Sequence, residues 1–231
     1  MIVCRIEDRV GVVVIDGPSA GNAVTSEMAR QFGEAVREAA DTCDILVIKG
    51  AGEDFTVGRD RHEPKSGSPF DAFRTVSALN QALVSFPGIV VTSVRGRAHG
   101  LGVGLIMRSD IAIASETAQF GLDEVAHGIP PMFIMEEIVE HLPSKAAYDV
   151  VLSGRPFGAQ EALQMGLLSR VVSDRELDTA VAELVRTLQS RDRKVVLACK
   201  RYMRAVRKLP VEARPAFALV EQTEFAMTSR S

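Results

Sequence analysis

The stretch VRGRAHGLGVGLIMRSDIAIASETAQFGLDEVAHGIPP, Val94–Pro131, decides how this chain is read. An apolar run, residues 89–94, leads into a glycine-rich turn from Gly96 to Gly104. A short helical segment, Leu101 to Arg108, opens inside that turn, and a second apolar run, Ile111 to Ala114, follows. Strand, glycine turn and helix start together expose backbone N–H groups that have no partner within the helix. Such groups can hold a phosphate, or an oxyanion that develops during a reaction. The turn carries no GK[ST] and no GxGxxG, which argues against a P-loop and a dinucleotide fingerprint.

Outward from this stretch, the first half alternates strands and helices. Ile2 to Ile6 and Val10 to Asp16 are β-branched runs around Glu7-Asp8, a hairpin pattern. A loop at 17–22 precedes a helix over Glu27 to Ala39, capped by Thr25 or Ser26. Ile45 to Lys49 reads as a buried strand, and Phe70 to Phe86 as a helix stopped by Pro87-Gly88. The polar segment Arg61 to Ser68 is expected to be mobile. Beyond Pro131 helix formers dominate, and only Ser169 to Val172 reads as a strand. The pattern predicts an α/β core with a helical C-terminal region, divided at 131/132.

Composition narrows the partners. The 231 residues are 46% hydrophobic and 25% charged, with a net charge of −3. Nothing in that balance calls for nucleic acid or a membrane surface. Cys4, Cys43 and Cys199 are scattered and form no CxxC pair, so they read as reduced thiols. No stretch has the pattern of a signal peptide or a membrane span, and the expected location is cytoplasmic. None of His62, His99, His127 and His141 has metal-ligand spacing with another, so no metal site is predicted.

Three loops fall at the carboxyl ends of predicted strands: Asn22-Ala23-Val24, Phe55 to Asp60, and Ala98 to Gly104. Asn22-Ala23, Phe55-Thr56-Val57-Gly58-Arg59-Asp60, the Arg95 to Asp110 segment, Ala118-Gln119-Phe120-Gly121 and the run from Gly154 to Val172 come in a telling order. In that order and spacing, over almost the whole chain, they resemble the crotonase superfamily, the enoyl-CoA hydratase/isomerase family. The resemblance implies a crotonase-like ββα spiral core over 1–131, carrying an acyl-CoA site, and a helical trimerisation region over 132–231. It implies an acyl-CoA thioester as substrate, a homo-oligomer (a trimer or dimer of trimers), and no cofactor beyond the coenzyme A of the substrate.

By position, the thioester oxygen would sit between the backbone N–H groups of Val57 and Leu101. Each well-aimed donor is worth roughly 2.7–4 kcal/mol of barrier. Glu124 matches the family glutamate after the A-x-F-G strand, and apolar Phe120, Leu122 and Val125 beside it favour a raised pKa. Asn22, Ala23, Gly58, Arg59, Asp60, Gly100 and Gly102 match positions that shape the substrate and CoA site. Asp123 reads as a helix cap. Arg59 and Arg97 lie where CoA phosphates would pass, and Lys200, Arg201, Arg204, Arg207 and Lys208 read as a solvated basic face.

The chain departs from the family pattern at Gly104, where hydratases carry a second glutamate. Pro131 stands where many have glycine, and Met132 where the aroyl-CoA dehalogenases have an aspartate. The sequence ends at Ser231, short of the family's usual last helix, which leaves lid contacts open. One carboxylate suffices to move a proton between two carbons, so double-bond isomerisation is expected ahead of hydration. A non-catalytic acyl-CoA-binding or assembly subunit is the remaining reading.

Overall fold

The computed structural model describes residues 1–64 and 68–228. Residues 65–67, part of the segment expected to be mobile, lie outside the described residues. Compactness divides the chain between Glu183 and Leu184. Residue 131 lies inside the first of these units.

The first unit opens with the hairpin: β1 (Ile2–Glu7) runs antiparallel to β2 (Val10–Ile15). Helix α1 (Ser26–Thr42) starts where Thr25 Oγ1 accepts the Met28 N–H at 3.1 Å. Its residues Met28, Phe32, Ala35, Val36 and Ala39 recur at helical spacing and are buried. Next come β3 (Ile45–Gly50), α2 (Pro69–Ser85) and β4 (Ile89–Val94), whose six residues are all buried. A continuous apolar run suits a parallel strand covered on both faces.

The glycine turn is more than a turn. It contains β5 (Arg97–His99) and then α3 (Leu101–Met107), followed by β6 (Ile111–Ser115) and β7 (Gln119–Gly121). Helices α4 (Met132–His141) and α5 (Ser144–Ser153), the two-residue β8 (Phe157–Gly158), α6 (Ala159–Gln164), β9 (Arg170–Val172) and α7 (Leu177–Gln189) complete this part. The main sheet has the order β1-β2-β3-β4-β6-β9, parallel after the first pair. A second sheet has the order β5-β7-β8. Phe120 on β7 stacks on Phe157 on β8 at 5.6 Å between ring centres. Burying a side chain of this size contributes roughly 1.5–3 kcal/mol.

The second unit holds the rest of α7 with α8 (Arg193–Val206) and α9 (Arg214–Thr228). Asp192 caps α8 by accepting the Lys194 N–H, and Tyr202 stacks on Phe217 at 5.4 Å. One expectation fails here. Lys200 is only 4% exposed, so the basic side of α8 is not uniformly solvated. Among the described residues no helix is long and apolar enough to cross a membrane.

Candidate functional site

The three predicted loops meet by backbone hydrogen bonds. Val24 bridges Arg59: the Val24 N–H donates to Gly58 O at 2.8 Å and the Asp60 N–H to Val24 O at 2.9 Å. Thr56 bridges Ala98: the Thr56 N–H donates to Arg97 O at 3.0 Å and the His99 N–H to Thr56 O at 2.9 Å. Asn22 ties the first loop down from inside. Its Oδ1 accepts the Gly17 N–H, and its Nδ2 donates to Ala51 O and Asp54 O. Fully buried, with φ of 58°, Asn22 uses the left-handed region that asparagine tolerates better than most residues. Its side chain holds the loops together. Ala23, half-buried beside it, donates to Ala20 O.

Two glycines set the close approaches. At Gly58, φ 93°, a Cβ would lie 2.9 Å from His99 O and 3.6 Å from the Leu101 nitrogen. At Gly100, φ 49°, a Cβ would lie 2.5 Å from Glu124 Oε1. The second and third loops and Glu124 therefore converge on the first turn of α3. Gly102 packs against Thr56 and belongs to the helix–loop contact.

Leu101 is the first residue of α3, and its N–H donates no hydrogen bond among the described residues. It is an open donor at a helix N-terminus. Val57 is different. Its N–H donates to Gly21 O at 2.9 Å, so the second donor expected for the oxyanion is engaged inside the protein. The first loop packs directly on Val57 here; a Cβ on Gly21 would lie 2.9 Å from Val57 Cγ1. The adjacent Gly58 N–H donates to Thr56 Oγ1 at 3.0 Å.

Glu124 lies just after β7, ahead of a single 3₁₀ turn at Val125–His127. Its Oε2 is buried and has no hydrogen-bond partner among the described residues. Burial, aided by the Asp123 charge, raises the Glu124 carboxyl above the usual carboxylate range; its own backbone N–H, Arg61 and His127 oppose this. A buried carboxylate lacking partners favours its neutral form. A carboxyl group can both take and return a proton.

Asp123 is not the cap it was expected to be. Its Oδ1 accepts from Arg61 Nη2 at 2.5 Å, and its Oδ2 lies 3.3 Å from His127 Nε2. Burial pushes the Asp123 carboxyl up, but Arg61 and His127 outweigh it and hold the group below its ordinary value. Nothing in sequence spacing links Arg61 to Asp123; the second loop bridges β5, which pairs with β7, and that brings the two together. His99 has its ring against Gly121. Burial lowers its pKa, with Arg97 and Arg61 adding to the effect against Asp123 and Asp54.

Other candidates are occupied. Arg59 donates to Ser26 Oγ and Glu63 Oε2, and Arg97 to Asp54. Each guanidinium thus has an internal carboxylate partner. Asp60 Oδ1 accepts the His62 N–H, His62 is exposed, and His141 Nδ1 faces Glu137 O. Pro131 precedes α4, where its carbonyl accepts the Met135 N–H, and Met132 is exposed. Gly104 is buried and carries no carboxylate. A Cβ there would lie 3.2 Å from Arg108 Nη1. The Arg108 side chain is 2% exposed and donates to Gly104 O and Phe133 O, with Glu137 3.4 Å from its Nε. Sequence reasoning missed Arg108 altogether. Its position one turn past Gly104 was the only signal available.

A sequence model of the enoyl-CoA hydratase/isomerase family matches residues 5–229. The chain belongs to the enoyl-CoA hydratase/isomerase family. Among its relatives in the family, the mouse enoyl-CoA hydratase domain-containing protein 3, mitochondrial, is 27% identical over 224 residues, covering 94% of this chain and 74% of the relative. The Mycobacterium tuberculosis protein named "Probable enoyl-CoA hydratase echA8" is 31% identical over 191 residues, covering 81% of this chain and 74% of the relative. A family structure from Silicibacter pomeroyi superposes with a TM-score of 0.90 at 27% identity, covering 98% of this chain and 99% of that one. A Thermobifida fusca structure solved in complex with CoA gives 0.91 at 25% identity, covering 100% and 95%. The crotonase fold expected from the motifs is thus the fold observed.

Proposed function

We propose that the chain binds an acyl-CoA thioester and shifts a carbon–carbon double bond in its acyl group through an enolate. The Glu124 carboxylate takes a proton from C2 of a 3-enoyl thioester. The electron pair moves to the thioester oxygen, giving a dienolate held at the Leu101 N–H, where the α3 dipole favours negative charge. The protonated Glu124 then delivers the same proton to C4, leaving the 2-enoyl isomer. Nothing is gained or lost overall, so one carboxyl group completes the cycle. The CoA and acetoacetyl-CoA complexes of the Thermobifida fusca relative support the substrate class.

One observation carries the choice of reaction. Glu124 Oε1 lies over Gly100, next to the open Leu101 donor, while Gly104 supplies no second carboxylate and its flank is filled by Arg108. Water addition would need a second group to hold and activate water. Incubation with a 3-enoyl-CoA and a 2-enoyl-CoA, followed by absorbance and mass, tests this. Conversion of the first without change in mass is the expected result. A gain of one water on the second would overturn the isomerase reading in favour of hydration.

A second reading, a binding or assembly subunit without turnover, is favoured by the engaged Val57 N–H. CoA-ester binding with no change in either substrate would support it. The family's trimer, built on residues 132–231, is part of the same proposal. Sedimentation of the full chain reads its mass directly.

A further inference from the structure

Helix α3 carries the open Leu101 donor, yet little in its own sequence holds it in place. LGVGLIM has seven residues, two of them glycine, and no polar side chain. A helix this short does not persist on its own, and glycine weakens it further. Its N-cap residue, Gly100, offers no side chain to cap it. All seven residues are buried, but apolar burial is non-directional. It keeps a helix in its slot without fixing how the helix is turned there.

Directional contacts come from its flanks. At the start, the Gly100 N–H donates to Gly121 O at 2.9 Å. Past the end, Ser109 Oγ donates to Ile106 O and meets Thr92 Oγ1 of β4 at 3.1 Å. Two anchors, one at each end, leave a short helix free to roll about the line joining them. Arg108, the C-cap residue, adds a tie to a third element. Its Nη1 donates to Gly104 O at 3.1 Å within α3, and its Nη2 to Phe133 O at 2.7 Å in α4. Its Nε faces Glu137 Oε1 at 3.4 Å, an ion pair without hydrogen-bond geometry, and exposed Glu136 lies 3.9 Å from Nη2. One guanidinium thus joins α3 to the first two turns of α4. Glycine at 104 makes room for it, since a Cβ there would lie 3.2 Å from Nη1 and 3.6 Å from Ile134 Cγ1. Burying a charge is costly where an apolar side chain could fill the same space, so packing alone does not call for arginine here.

We propose that Arg108 is a positioning residue for the enolate reaction: its guanidinium, held by Phe133 O and Glu137, sets the roll of α3 and so aims the Leu101 N–H at the thioester oxygen. Arg108 itself touches no reacting atom. The assignment rests on the enolate reading given above and adds to it the group that keeps the donor in line.

Acetoacetyl-CoA bound to the full chain tests it, because its acetoacetyl group ionises to an enolate that is read by near-ultraviolet absorbance. A site that holds the oxyanion lowers the pKa of the bound probe below its value in solution. Arg108→Met combined with Glu137→Gln removes the tie without leaving a lone buried carboxylate. In that variant the lowering should shrink by about one pKa unit or more, a tenfold weaker hold on the enolate. With a 3-enoyl-CoA, kcat should fall roughly tenfold to hundredfold, as slight misplacement of a donor predicts. KM should change less than about threefold, because the lost interaction belongs to the transition state. Arg108→Lys keeps the charge but not the planar fork. It should fall between wild type and the double variant, and it serves if the double variant does not fold. Equal probe pKa in wild type and both variants would overturn the assignment. So would a loss of affinity for CoA alone in step with kcat, the mark of a general structural defect. A wild-type probe pKa equal to that in solution would instead overturn the enolate reading, and the assignment with it.

Discussion

Glu124 Oε1 lies so close over Gly100 that a Cβ at residue 100 would meet it at 2.5 Å. The proposed base therefore lies directly against the N-cap residue of α3. Gly100→Ala combines this clash with a φ of 49°, and should cost roughly 1–3 kcal/mol of stability and displace the carboxylate. Denaturant unfolding and isomerase assay on the same preparation check it; activity should fall further than the folded fraction does.

Glu124→Gln should lower kcat by roughly 10²–10⁴, the range for loss of a general base, while CoA-ester binding persists. Stability gives an independent reading. Burial raises the Glu124 carboxyl above its unfolded value, so the folded chain holds that proton more tightly. The stabilisation is full below the unfolded pKa and is lost as pH rises through the folded one. Glutamine cannot ionise. The variant should match wild type in acid and melt at a higher temperature once pH exceeds that window.

Arg61 and Asp123 act on the Glu124 carboxyl in opposite directions. The Arg61 charge lowers the Glu124 pKa and the Asp123 charge raises it. Arg61→Gln should move the acid limb of the kcat profile to higher pH, and Asp123→Asn to lower pH. The pair is partly exposed, so each change should cost about 1 kcal/mol or less in stability. A pH–rate series on both variants reads the two signs.

Asn22→Ala removes the acceptor for the Gly17 N–H and the donor to Ala51 O and Asp54 O. With those partly buried groups left unpaired, a loss of roughly 1–3 kcal/mol is expected. Chemical denaturation gives the value. The same loop carries Gly21, the partner of the Val57 N–H, so KM should change as well as stability.

Gly104→Glu should not create a hydratase. The new side chain would enter beside Arg108 Nη1, 3.2 Å from its Cβ, and pair with that guanidinium instead of holding water. Overpacking costs roughly 1–3 kcal/mol. Mass analysis of a 2-enoyl-CoA reaction should show no water added by this variant.

Much of the fold could be read in the residues. The hairpin, α1 and α2 follow from period-two and helical spacing, with ends close to those predicted, and the region after residue 131 is mostly helical as its composition indicates. β5 and β8 could not be read that way. Strands of three and two residues are too short to alternate, and they exist because β7 lies between them. The site divides along the same line. Leu101 and Glu124 were placed by motif order, and their neighbours Gly58 and Gly100 carry φ values that glycine adopts readily. The Gly21–Val57 bond, the Arg61–Asp123 pair and buried Arg108 each join residues whose proximity is set by loop and helix packing. No periodicity records such contacts.

The hydrogen bond from Val57 to Gly21 makes one arm of the proposed site a competition between two oxygens. For the Val57 amide to reach a substrate, it must leave a backbone carbonyl. Leaving one neutral acceptor for another, such as an unreacted thioester, gains little. Leaving it for an enolate gains more, since a hydrogen bond to an ionised acceptor is roughly twice as strong. An internal rival of this kind tightens the grip selectively on the charged intermediate, and leaves the resting thioester held mainly by Leu101.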